Sequence, residues 1–565
     1  MVLPDGTIDL DRHFSNSSAE RYLSMINPRL GVVVGGSLSK GLIVKLDRGQ
    51  TVESLAVGRY VVVRGETSRF FCMITDIVLD NTNPEIQSDP PDISDPFLAA
   101  VYMGTAAYGK IHVQPMLSLE DDERTPKPVK TIPGHFRDVL NASVEDVNDV
   151  FGAEDETHFH VGEPLELTTT QINLDLKRLV ERSVGVFGKS GTGKSFLTRV
   201  LLAGIISKRQ AVNLIFDMHN DYGWEITSEG KTSRVKGLKQ LFPEDVVICS
   251  LDPESSRKRN AKVDFEVKIG YGEIEPEDIA MLRETMSLSD AMIDAAHTLA
   301  KHWGTRWVKR LIDITVEDIE EITSSTPLME GTLLGLQRRI QRLGRWDFLS
   351  EHVSGDTVQT IVHMLENGRT VVLEFGRWGN SLEAYMLVAN YLTRRIHETW
   401  VRNVEFALGS SQAMPPQLLI TIEEAHKFLD PKIASQTIFG IIARELRKYN
   451  VTLLIVDQRP SGIDDEVMSQ IGTRVTALLD NERDISAVLT GISAAGGLRE
   501  VLARLDTKQQ AIIMGHAVPM PVVVKTRTYD AAFYEAVTGA GRHEPGAPDA
   551  LSSRDRLGSG GKRRL

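Results

Sequence analysis

The segment Gly188-Lys-Ser-Gly-Thr-Gly-Lys-Ser195 constrains this chain more than any other. It satisfies G-x-x-x-x-G-K-[ST] at each required position, between the apolar run Val184-Gly-Val-Phe187 and a predicted helix over 195–208. Such a loop works when a strand delivers it and a helix receives it. Glycines let the backbone curl so that its N–H groups face phosphate oxygens. The helix then aims its positive end at the same anion. Lys194 is placed to reach the β- and γ-phosphates, and the Ser195 hydroxyl to ligate Mg2+. The expected nucleotide-binding set is Gly188, Ser190, Gly191, Thr192, Gly193, Lys194, Ser195 and Phe196, with ATP and Mg2+ as cofactors.

A second apolar run, Leu418-Leu-Ile-Thr-Ile422, ends in Glu423-Glu424-Ala-His426. Two acids beyond a buried strand suit the other half of a phosphate-splitting engine. Glu423 is assigned to the Mg2+ shell, and Glu424 to polarising the attacking water. A third run closes on Val456-Asp-Gln458-Arg-Pro-Ser461, where Gln458 is the expected sensor of the γ-phosphate or the lytic water. A fourth closes on Asp217-Met-His219-Asn-Asp-Tyr222, with His219 either a ligand or a plain loop histidine. Ligands of open parallel sheets sit beyond the carboxyl ends of strands, so these polar clusters converge on one crevice. Arg444 and Arg447 share a helix face three residues apart, which alone reads as a solvated basic surface.

The same runs set the fold class: an α/β RecA-like P-loop core with a parallel sheet, because strands this apolar are covered on both faces. Residues 1–27 read as an N-terminal arm. Residues 28–165 read as a small all-β barrel of short β-branched and aromatic strands split by glycine turns, with 81–96 as a loop insertion and a charged turn at 120–124. The core occupies 166–274 and 368–538, interrupted by a helical insertion over 275–367 that opens on Glu275-Pro-Glu-Asp278. Residues 539–565, rich in Gly, Ser, Pro and Arg, are expected to be disordered.

Composition narrows the partners. A net charge of −13 argues against a protein that coats nucleic acid over its whole surface, yet it permits a local basic channel. The basic stretches are Gln337–Arg345, Lys309-Arg310 and Arg394-Arg395, each of which also reads as a solvated helix face. No apolar run is long enough to span a membrane, and the first residues lack a signal pattern, so no membrane partner and a cytoplasmic location are expected. Cys72 and Cys249 lie in apolar strands and read as buried small hydrophobes.

Taken together, the glycine loop, Asp217–Tyr222, Ile422–His426, Ala443–Tyr449, Gln458–Ser461 and Ala511–Gly515 resemble the HerA family of P-loop ATPases, over residues 20–535. The resemblance implies a homohexameric ring threaded by double-stranded DNA, with ATP between subunits. Arg447 is then the preferred arginine finger and Arg444 the other candidate. It also implies a nuclease (NurA-like) or sirtuin-like effector docked on the ring, in DNA repair or anti-phage defence. The sequence departs from the family at Glu423, where Asp is usual, and at Leu446 and Asn450, where Gly is usual. A DNA translocase or helicase and a ring ATPase that gates an effector with little translocation of its own both fit. A ring in which nucleotide serves stability only does not fit the intact Lys194, Ser195 and Glu424.

Overall fold

The computed structural model describes residues 29–539, except 93, 103–104, 121–125, 166, 168–169, 228–233, 411–412, 445–447 and 493–494. The arm, the charged turn at 121–124 and the tail beyond 539 therefore lie outside the described residues.

The first unit is a barrel. Its strands are β1 (Arg29–Ser37), β2 (Gly41–Leu46), β3 (Tyr60–Arg64), β4 (Ser68–Asn81), β5 (Ala107–Glu120), β6 (Lys127–Pro128) and β7 (Asp138–Asn141). The order β2-β1-β7-β3-β4-β5 closes by pairing β5 with β2, and β6 hangs on β5. Pairing is antiparallel throughout. Side chains alternate across a strand, and here both faces are buried. Val61, Val63, Phe70, Cys72 and Ile74 fill the barrel interior. Tyr60, Val62, Phe71 and Met73 face outward into the core of the rest of the molecule. That explains why Tyr60-Val-Val-Val and Phe70-Phe-Cys-Met-Ile are continuously apolar rather than alternating. The Val523 N–H donates to the Tyr60 hydroxyl at 3.0 Å, pinning the barrel to the second unit. Within the expected loop at 81–96 the structure places a short helix, Glu85–Ser88.

The second unit is built on one large sheet. Its strands are β8 (His158–Pro164), β9 (Ile172–Asp175), β10 (Val184–Phe187), β11 (Val212–Asp217), β14 (Val246–Ser250), β15 (Phe265–Glu266), β18 (Thr370–Glu374), β19 (Leu418–Glu423), β20 (Val451–Asp457), β21 (Thr473–Thr476), β22 (Gln510–Gly515) and β23 (Val522–Thr526). Two small pairs complete the count, β12 (Ile226–Thr227) with β13 (Arg234–Val235) and β16 (Ile269–Gly270) with β17 (Leu349–Ser350). The order is β15-β14-β18-β11-β19-β20-β10-β21-β22-β23-β8-β9. From β15 to β21 the pairings are parallel. From β21 to β9 they are antiparallel. β8 thus corrects the expected barrel limit at 165: its residues 162–164 pair with β23 and residues 158–162 with β9, so the strand belongs to the ATPase sheet.

Helices cover the sheet. Lys194–Ser207 carries ten buried residues and packs under β10, and the 28-residue helix Leu382–Gly409 runs beside β19. Between β16 and β18 the chain is mainly helical, including Asp290–Trp303 and Glu330–Ile340. Both cysteines are buried and unpaired, as expected.

Candidate active site

Three neighbouring strands, β19, β20 and β10, deliver the chemistry. Glu423 is level with Val456, and Phe187 with Asp457. The phosphate loop, the Glu423-Glu424 pair and the Asp457-Gln458 turn therefore leave the sheet side by side at its carboxyl edge.

The loop adopts its shape because glycine stands where side chains are disfavoured. Gly191 and Gly193 have φ of +79° and +88°, and Gly193 caps the helix that begins at Lys194. A Cβ at either position would meet no heavy atom within 4 Å, so the requirement is conformational and the space above the loop is open. Gly188 differs, since a Cβ there would lie 2.9 Å from both the Ala477 Cβ and the Thr192 Oγ1. Leu478 accepts from the Lys189 N–H at 3.1 Å, Asp480 pairs with the Lys189 ammonium at 2.7 Å, and the Thr192 hydroxyl donates to the Lys189 carbonyl at 2.8 Å. Ser190 is exposed, Ser195 half-buried, and Phe196 packs edge-on to Tyr529.

Lys194 donates to the Lys189 carbonyl at 2.9 Å. Burial pushes its pKa down, while Glu424, Asp457 and Glu423 oppose that shift. The three acids therefore stand in the field of the lysine that would meet the terminal phosphates.

Glu423 is buried at the end of β19. The Tyr222 hydroxyl donates to its Oε1 at 2.8 Å, and its Oε2 has no partner among the described residues. Burial raises its pKa to about 7 against the Tyr222 bond, which lowers it; Asp221 and Glu424 add to the rise, and Lys194 works against it. A buried carboxylate oxygen without a partner is costly unless something fills the position. A hard divalent cation is the chemistry that fits that oxygen. Glu424 follows in a left-handed conformation, φ +50° and ψ +43°. Its Oε2 is 3.6 Å from the His426 Nδ1, and its side chain is partly exposed.

Two residues on which no role was placed belong to this constellation. The buried Asp457 accepts from the His426 N–H at 2.7 Å, from the His426 ring at 2.9 Å and from the Arg459 N–H at 2.7 Å. Burial works to raise its pKa, but the His426 contacts outweigh it and hold the carboxylate below its ordinary value. Gln458, one residue on, is exposed at the strand end.

Of the cluster Asp217–Tyr222, Tyr222 reaches Glu423, whereas Asp217 folds back onto its own turn. It is buried and accepts from the N–H groups of Asp221, Tyr222 and Gly223 at 2.6, 2.9 and 3.1 Å. It shapes the turn that presents Tyr222 to Glu423. Burial, helped by Glu374 and Glu423, pushes its pKa up to about 7. His219 is exposed.

Arg444 is tied within its own chain, to Glu466 at 2.9 Å, Asp464 at 3.5 Å and the Ala434 carbonyl at 3.3 Å. Arg447 lies outside the described residues. Among the basic stretches, Arg394 binds Asp278 at 2.9 Å and also pairs with Glu275, while Arg310 binds Asp318 at 2.8 Å. Arg338, Arg342 and Arg345 are exposed and make no ion pair among the described residues. No helix among the described residues is long and apolar enough to cross a membrane.

Residues 159–396 match the family described as Helicase HerA, central domain, and residues 30–131 match the HAS barrel domain. The DNA double-strand break repair helicase HerA of Pyrococcus furiosus is 24% identical over 453 residues, 74% of this chain and 78% of that protein. Its namesake from Sulfolobus acidocaldarius is 32% identical over 147 residues, 26% of this chain and 29% of that protein. Among solved structures, VirB4 of Thermoanaerobacter pseudethanolicus superimposes with a TM-score of 0.44 at 13% identity, covering 67% of this chain and 99% of that one.

Proposed function

The chain belongs to the HerA family of P-loop ATPases, and we propose that it is an ATP-driven translocase of double-stranded DNA that works as a homohexameric ring in the cytoplasm. The observation that carries this reading is the meeting of the phosphate loop, Glu423-Glu424 and Asp457-Gln458 at the ends of β10, β19 and β20. That constellation is built for splitting a terminal phosphoanhydride, and relatives named as DNA double-strand break repair helicases supply the substrate class.

In the proposed mechanism the loop N–H groups and Lys194 hold the β- and γ-phosphates. Lys194 gives up its bond to the Lys189 carbonyl to do so. Ser195 and Glu423 would hold Mg2+, which when bound would supply neutralising charge to the phosphate oxygens. Glu424 orients water and takes its proton, and Gln458 contacts the γ-phosphate or the water. Arg447 reaches the nucleotide of a neighbouring subunit. Arg444, already paired with two acids, holds its own helix in place. Arg338, Arg342 and Arg345 contact DNA phosphates without regard to sequence. A docked nuclease or sirtuin-like effector acts on what the ring moves, in end processing or defence against phage.

The test is phosphate release by wild type, Lys194→Ala and Glu424→Ala, with and without double-stranded DNA. Both variants are expected to lose turnover, and DNA is expected to stimulate the wild type. Turnover surviving in Lys194→Ala refutes the site. Hydrolysis indifferent to DNA refutes translocation and leaves a ring that gates its effector.

A further inference from the structure

Glu424 occupies a backbone conformation that residues with a Cβ seldom adopt. Such a conformation persists where the surroundings over-determine it. What fixes it is visible two residues on. The His426 N–H and the His426 ring both bind Asp457, the last residue of the neighbouring strand. On its other oxygen Asp457 accepts the Arg459 N–H at 2.7 Å, which folds the turn that displays Gln458. One carboxylate, 1% exposed, thus staples two turns that belong to different strands. It is spent on these bonds, whereas the nearby Lys194 turns to the Lys189 carbonyl.

We propose that Asp457 and His426 are positioning residues that couple the Gln458 turn to the Glu424 turn, so that engagement of a terminal phosphate by Gln458 sets where the Glu424 carboxylate lies. The proposal rests on the roles given above to Gln458 and Glu424. The ring of His426 lies beside Glu424, with its Nδ1 3.6 Å from the Glu424 Oε2. Any shift of the Asp457 turn is therefore passed to the carboxylate through one imidazole and one main-chain bond. Neither positioning residue needs to touch nucleotide. Their contribution belongs to turnover and not to binding, because the loop that holds the phosphates is anchored separately, through Leu478 and Asp480.

The experiment compares His426→Ala, His426→Asn and Gln458→Ala, singly and combined, in the full-length protein. Asparagine can place an N–H donor near the position of the ring Nδ1 and restore the bond to Asp457. His426→Ala is expected to lower kcat by about 10- to 100-fold, as a displaced catalytic group does. The KM for ATP and the binding of fluorescent ADP should stay within about twofold of wild type, and His426→Asn should recover most of the loss. Gln458→Ala should slow the wild type but add little to His426→Ala, since the two act along one path. Binding of a non-hydrolysable ATP analogue should change amide hydrogen exchange at Ala425–Lys427 in wild type and not in His426→Ala. The proposal is overturned if His426→Ala turns over like wild type, if its loss lies in nucleotide binding, if asparagine is no better than alanine, if the two substitutions multiply independently, or if the exchange response survives in His426→Ala. Any of these with Lys194→Ala still inactive leaves the ATPase reading standing, so the two failures are distinguishable.

Discussion

Replacing Tyr222 by phenylalanine removes one hydroxyl from the fully buried pair it forms with Glu423 and leaves the ring volume in place. That hydroxyl is the sole hydrogen-bond donor given to the Glu423 carboxylate among the described residues, because Oε2 has none. A hydrogen bond to a charged group contributes about 1.5–3 kcal/mol net. At about 1.4 kcal/mol per factor of ten, its loss corresponds to roughly 10- to 150-fold against the ionised form of the carboxyl. Burial already holds Glu423 at about 7, with the Tyr222 bond pulling downward, so the variant's pKa rises further. A hard cation needs the carboxylate ionised. The half-saturating Mg2+ for phosphate release is therefore expected to rise by about tenfold or more at pH 7, and the deficit should shrink as pH is raised to 8.5. Fluorescent ADP binding without Mg2+ should be unaffected. Tyr385→Phe is the control. Its hydroxyl bonds the Glu423 main chain at 3.0 Å on both the N–H and the carbonyl, so it should lower stability without shifting the Mg2+ dependence. An unchanged Mg2+ requirement in Tyr222→Phe, or a deficit equal at both pH values, would refute the reasoning.

Gly193→Ala meets open space but must hold φ near +88°, which costs about 1–2 kcal/mol for an L side chain, so ADP affinity should fall by roughly 5- to 30-fold in a fluorescence titration with the fold intact. Arg447→Ala is expected to retain ATP binding and abolish turnover. Arg444→Ala, losing partly exposed ion pairs, should turn over normally and lose no more than about 1 kcal/mol of stability in denaturant titrations. Asp217 and Glu423 are both raised by burial to about 7, so the folded state keeps protons that the unfolded chain releases above its ordinary carboxyl pKa. Stability of the nucleotide- and metal-free protein should therefore fall as pH rises from about 4.5 through 7, then level off, and Glu423→Gln should flatten that slope.

How much of this was legible in the sequence depends on how local each feature is. The phosphate loop is written in eight consecutive residues, and its strand and helix stand where the flanking apolar pattern puts them. The parallel strands were legible as unbroken apolar runs, since burial on both faces leaves no alternation to misread. β8 was not, because what takes it from the barrel is pairing with β23, about 360 residues away in the chain. Asp217 illustrates a different limit. The strand-end pattern places the Asp217–Tyr222 cluster at the crevice, and Tyr222 meets Glu423 there, but nothing local shows that Asp217 itself folds back onto three N–H donors of its own turn.

The same limit governs charge. The acids of Glu275-Pro-Glu-Asp278 and the arginines of Arg394-Arg395 were each visible, one as a helix start and the other as a basic patch, and nothing local reveals that they meet. Once they do, two apparent DNA contacts become structural ion pairs. The basic charge still free to meet phosphate shifts toward Arg338, Arg342 and Arg345, on the surface of the helical insertion. If that is where the net charge of −13 yields to a local basic face, neutralising all three should lower DNA affinity and reduce the slope of log affinity against log salt by up to about three contacts. Neutralising Arg394 should instead unfold or destabilise the insertion, because it strands the buried Asp278, and leave the salt slope of the folded fraction unchanged. An equal salt slope in the triple variant and the wild type would place the DNA path elsewhere on the ring.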